Sequence, residues 1–67
     1  MEYSLVGVDS DAFCVMGYVT KALKKEGRSQ QVADEYRKKA MDGDYQNLLR
    51  VSMKEINKLN LEIEEAQ

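Results

Sequence analysis

The amino-acid sequence predicts a small α+β domain of order β-α-α-α-β, in which the two chain ends meet in one short sheet. Three observations lead there. Leu59, Leu61 and Ile63 alternate with Asn60, Glu62 and Glu64, the period of two that marks a half-buried strand. Tyr3-Ser4-Leu5-Val6-Gly7-Val8 is a second strand-like run at the other end. Between them, apolar residues recur at helical spacing in three stretches, punctuated by Gly27 and by Asp42-Gly43-Asp44.

The first strand is expected over 3–8. Asp9 or Ser10 then caps a first helix that ends near Gly27 in the C′ position. Phe13, Met16, Val19 or Thr20, and Leu23 lie along one face of it, widened by Val15 and Ala22, while Lys24 and Lys25 suit the negative end of its dipole. Gly17 in mid-helix costs roughly 1 kcal/mol relative to alanine and points to a close neighbour, either another helix or a ligand. Ser29 caps a second helix that runs to about Met41, with Val32, Tyr36 and Ala40 as its apolar stripe and Ala33 beside it. Asp44 caps the third, in which Tyr45, Leu48, Leu49, Ser52, Met53 and Ile56 keep the 3.6 period to about Asn57. From there the period changes to two. The competing reading is one helix from Asp44 to Gln67, which would set Leu61 away from the stripe through Ile56, Leu59 and Ile63; the strict alternation favours the strand.

The 67 residues make a single domain, 1–67, near the lower size limit for folding without a staple. One cysteine cannot form a disulfide within the chain, and without histidine the common zinc ligand sets cannot be assembled. No cofactor is expected. Self-association is the remaining remedy, through the free edges of a two-stranded sheet or through helix packing around Gly17, so a homo-oligomer is expected. No apolar run approaches the roughly 20 residues that span a bilayer, and no signal-peptide pattern opens the sequence. The expected setting is cytoplasmic, without membrane association.

The net charge of −2 is unevenly spread. Seven basic residues (Lys21, Lys24, Lys25, Arg28, Arg37, Lys38, Lys39) face three acidic ones (Glu26, Asp34, Glu35) between positions 21 and 39, whereas both ends are acidic, with Glu2, Asp9 and Asp11 at one and Glu62, Glu64 and Glu65 at the other. Such a basic middle attracts an anion locally. A third helix with only Arg50 and Lys54 among apolar residues is too poor in base-reading side chains for helix-turn-helix DNA recognition, so no specific DNA binding is expected. With no histidine and no nucleophile–base pair, nothing indicates an enzyme. Cys14, between Phe13, Val15 and Met16, reads as core. Asp9-x-Asp11 lacks the further oxygen ligands of a calcium loop, and its two carboxylates disfavour a phosphate cradle at the first helix N-terminus.

The ligand candidates are aromatic and basic. Tyr18, Tyr36 and Tyr45 combine an apolar ring with a polar tip suited to stacking, and Lys21, Lys24, Lys25 and Arg28 would neutralise phosphate. Stacking plus charge neutralisation is a common way to hold a nucleotide-like anion.

Leu5-Val6-Gly7-x-Asp9-x-x-Ala12-Phe13, with Gly17 one turn on, and Gly43-Asp44-Tyr45-x-x-Leu48-Leu49 resemble a group of short proteins from phages, prophages and mobile elements of Gram-positive bacteria. The resemblance covers nearly the whole chain, departing at Ser10-Asp11, where that pattern has Gly-Asn. It implies a phage–host context in the host cytoplasm and no activity of its own. The expectation is a non-enzymatic anti-defence protein that sequesters a small anionic, nucleotide-like signal. The alternatives are a direct inhibitor of a host defence complex such as a CRISPR effector, or a purely structural interaction module.

Overall fold

A computed structural model describes residues 3–66, so Glu2 of the acidic end and Gln67 of the long-helix reading lie outside the described residues. Three helices make the fold: α1 over Ala12–Lys25, α2 over Gln30–Ala40 and α3 over Tyr45–Glu65. Each packs on the other two, in a flat body of 35 × 26 × 15 Å. No strand is present among the described residues. The α+β expectation is therefore corrected to a three-helix bundle.

Both predicted strands fail for local reasons. Over 3–8 the chain turns back on itself: the Val8 N–H donates to the Leu5 carbonyl at 3.1 Å, with Gly7 at φ 87° in the left-handed position that a type II turn requires. At the other end, the long-helix reading is the one that forms. Leu48, Ser52, Ile56 and Leu59 are buried and Ile63 packs against them, the spacing of one helical stripe. Leu61 falls off that stripe and is 58% exposed. The residues after Asn57 are mostly lysine, leucine and glutamate, which favour helix, and neither glycine nor proline interrupts them.

The two ends nevertheless meet. The Asn60 side-chain amide accepts from the Tyr3 N–H at 2.8 Å and donates to the Tyr3 carbonyl at 2.9 Å. One amide thereby does for the Tyr3 backbone what a strand partner would have done.

The caps follow side-chain chemistry. Asp11, not Asp9 or Ser10, caps α1, accepting from the N–H groups of Phe13 at 2.8 Å and Cys14 at 3.4 Å. Asp9 instead accepts from the Asp11 N–H, fixing the approach. Helix α1 ends in a Schellman motif: Arg28 N–H to the Leu23 carbonyl at 2.9 Å and Gly27 N–H to the Lys24 carbonyl at 3.0 Å, with Gly27 at φ 80° as C′. Ser29 and Asp44 cap α2 and α3 as predicted. Asn47 of α3 donates to the Lys39 carbonyl at 3.0 Å, closing the C-terminal end of α2.

The core is Val15, Met16, Val19, Ala22 and Leu23 of α1, Ala33, Tyr36 and Ala40 of α2, and Leu48, Ile56 and Leu59 of α3. Ser52, the one buried polar residue among the described residues, is satisfied by the Tyr36 hydroxyl at 2.5 Å. Phe13, Tyr45 and Met53, predicted on the inner stripes, are exposed, and so is Cys14. The core face of α1 is rotated by about one position towards Val15 and Val19, because α1 must touch α2 and α3 at once.

Candidate functional site

The turn of residues 5–8 stands beside the outer face of α1, and the two enclose an open groove of about 920 Å³. Its position follows from the Asn60 clamp on Tyr3 and from the Tyr18 hydroxyl, which accepts the Ser4 N–H at 3.0 Å. The Tyr3 and Tyr18 rings meet edge to face with centroids 6.3 Å apart. The Tyr3 hydroxyl donates to Glu26 at 2.6 Å; that hydrogen bond, then desolvation and the Glu26 charge, push its phenol up to about 12.

The groove is polarised along α1. At its N-terminal end Val6 is 91% exposed at the turn tip and Phe13 is 78% exposed, with Asp9 beside them. Towards its C-terminal end stand Lys21 and Lys24 of α1, and Arg37 of α2 also lines it. None of these three cations has an ion pair among the described residues. Eight residues separate Phe13 from Lys21, about 12 Å of helix at 1.5 Å per residue. Gly17 lies between them, and a Cβ placed there would meet nothing within 4 Å. The expected close neighbour of Gly17 is not found among the described residues.

The seven candidate residues do not form one site. Tyr18, Lys21 and Lys24 line the groove; Lys25 shares a smaller adjoining recess of about 450 Å³ with Tyr3, Tyr18 and Lys21. Arg28 is committed elsewhere, donating to Glu62 at 2.8 Å and to the Glu26 carbonyl at 3.0 Å. Tyr36 is 2% exposed and bonded to Ser52, and burial raises its pKa, so it cannot stack on a ligand. Tyr45 lies away from the cations, beside Phe13, Met41 and Leu48, with its hydroxyl bonded to the Ser10 carbonyl. Of these three, Tyr36 is corrected from a ligand candidate to a core residue, and Arg28 and Tyr45 are held by partners outside the groove.

Sequence reasoning missed Arg37, Phe13 and Val6. Arg37 was legible as a cation but not as a neighbour of Lys21; only folding α2 back against α1 brings them to one groove. Phe13 was counted as core because it keeps helical spacing with Met16.

The described residues hold no cluster of three or more His, Cys, Asp or Glu side chains able to bind a metal ion. Nor is any of their helices long and apolar enough to cross a membrane. Comparison with protein-family models, with curated proteins and with solved structures gives no match.

Proposed function

We propose that this chain is a non-catalytic binding protein that captures a small anion with an aromatic portion, of the nucleotide class, in the groove beside α1. The observation that carries the proposal is the groove itself: Lys21, Lys24 and Arg37 line it together with the solvent-exposed Phe13 ring. A phosphate neutralised by the cations and a base stacked on an aromatic ring is an arrangement worth about 1–3 kcal/mol per stacked base. The volume falls in the range of small-molecule sites, about 300–1,000 Å³. The resemblance to short phage proteins supports sequestration of a host defence signal, in the host cytoplasm, as the biological setting.

Calorimetry with a panel of linear and cyclic nucleotides tests this reading. Binding is expected to vanish in the triple variant Lys21→Glu, Lys24→Glu, Arg37→Glu, to weaken at least about tenfold in Phe13→Ala, and to survive Arg28→Glu and Tyr45→Ala. Absence of binding to every nucleotide rejects it.

One observation favours a second reading. Val6 and Phe13 project outward rather than lining an enclosed cavity, as anchors do in protein interfaces. Direct docking onto an acidic surface of a host defence protein would use the same residues, with the three cations as rim.

A further inference from the structure

The outer face of α3 carries a stripe unrelated to the core: Arg50, Met53, Asn57, Leu61 and Glu64, all exposed. Met53 is 55% and Leu61 58% exposed among the described residues. Steps of three, four, four and three residues keep the stripe straight along the helix, as in a coiled-coil seam. Its length is 14 residues of rise, about 21 Å.

The stripe is complementary to itself when reversed. A two-fold axis through Asn57 sets each residue 57−k opposite 57+k of another copy. Met53 then meets Leu61 of the second copy, and Leu61 meets its Met53. Arg50 meets Glu64 of the second copy, and the reciprocal pair forms at the other end. Lys54 stands level with Asn60 of the second copy. The parallel arrangement would set Arg50 against Arg50 and Glu64 against Glu64, which repel. Asn57 meets itself on the axis, where a polar residue in an apolar seam specifies register at some loss of stability. Beside Met53 lies a recess of about 360 Å³ lined by Tyr3, Leu5, Val6, Ile56 and Asn57, placed to receive the incoming Leu61.

We propose that a second copy of this chain docks antiparallel on α3, with Met53, Asn57 and Leu61 as the seam and Arg50–Glu64 pairs at its ends. The outer face of α1 lacks this self-complementarity. About Gly17, reversal sets Phe13 against Lys21, with no apolar pair. The α3 dimer leaves Lys21, Lys24 and Arg37 facing solvent, so it stands whether or not the groove binds an anion.

Sedimentation equilibrium of the full chain from micromolar to millimolar concentration tests the dimer. The mass should rise from 7.7 kDa towards twice that value. Leu61→Glu should hold it at the monomer mass with an unchanged far-UV helix signal, since that side chain is exposed in the single chain. Arg50→Glu alone and Glu64→Arg alone should each raise the dissociation constant roughly tenfold, and the two together should restore it. A wild-type chain that stays at 7.7 kDa at millimolar concentration overturns the proposal. So does a dimer that Leu61→Glu leaves intact, or one that the paired charge reversal fails to restore.

Discussion

The outer faces of α1 and α3 are both exposed and both carry large apolar side chains, yet they ask for different partners. On α1, Phe13 stands at one end and Lys21 and Lys24 at the other, joined by Arg37 from α2. All three cations have one sign, so the face complements something acidic. On α3, opposite charges lie at equal distances from a central polar residue, so the face complements its own copy. The lesson lies in charge order, not in amount of apolar surface. An apolar patch says that something binds; the sign pattern around it says what.

The two faces are also coupled. The wall of the α1 groove is the 4–9 segment, which follows directly on Tyr3, the residue that Asn60 of α3 holds by its backbone. Helix α3 therefore presents one surface outward and holds the other site together.

The largest effect that sharpens this comparison comes from two leucines two positions apart. Leu59→Ala should destabilise the fold by about 2–5 kcal/mol, because it removes a buried side chain at the centre of the bundle. At a concentration where the chain is monomeric, Leu61→Ala should stay within about 0.5 kcal/mol, as exposed positions do. Urea denaturation followed by far-UV circular dichroism reads both, and equal effects would refute the assignment of Leu61 to an outer face.

Asn60→Ala comes next. Losing both hydrogen bonds to Tyr3 should cost about 1–2 kcal/mol and free the first residues from α3. Amide exchange at Ser4 should speed up while the core of α3 keeps its protection. If the groove keeps its full affinity in this variant, the coupling between the two faces is broken.

Gly17→Ala should stabilise the chain by about 0.5–1 kcal/mol, since the helix gains propensity and the added methyl meets nothing. Destabilisation would show that the outer face of α1 is already covered in solution, which thermal denaturation at two protein concentrations would reveal.

The smallest effect is a titration. Because the Tyr3 phenol is raised to about 12 from an ordinary value near 10, the protonated form is the one the fold favours. Its contribution is fully present below about pH 10 and disappears as pH rises through about 12. Ultraviolet difference titration should show Tyr3 ionising late alongside the buried Tyr36, with the Tyr3 component lost in Tyr3→Phe, while the stability of the wild-type chain does not vary with pH near neutrality through this group.

Local chemistry made much of the fold legible. Ser29 and Asp44 are caps because a short oxygen-bearing side chain before an apolar-periodic run satisfies free N–H groups, wherever the helix later packs. Gly27 ends α1 because only glycine enters the left-handed C′ position without strain. The stripes through Val19 and Leu23, through Tyr36 and Ala40, and through Leu48 and Ile56 were readable for the same reason: they repeat within one helix.

What depended on the neighbour of each helix was not readable. Leu59-x-Leu61-x-Ile63 satisfies a strand if all three leucine and isoleucine side chains are buried, and a helix if only the outer two are. The sequence holds both periods, and packing of α3 on α1 and α2 selects the second. Phe13 and Val15 both fit an apolar face of α1, and the angle at which α2 and α3 meet it decides that Val15 enters. Tyr36, inside α2, and Tyr45, the first residue of α3, are the same residue type, yet one closes on Ser52 in the core and the other sits at a rim. By itself the sequence determined the three helices with two of their N-terminal caps and the C-terminal end of α1, because propensity and capping act over a few residues. Only the tertiary structure decided which side chains face outward and which cations share a groove, because those depend on how whole helices are placed against one another.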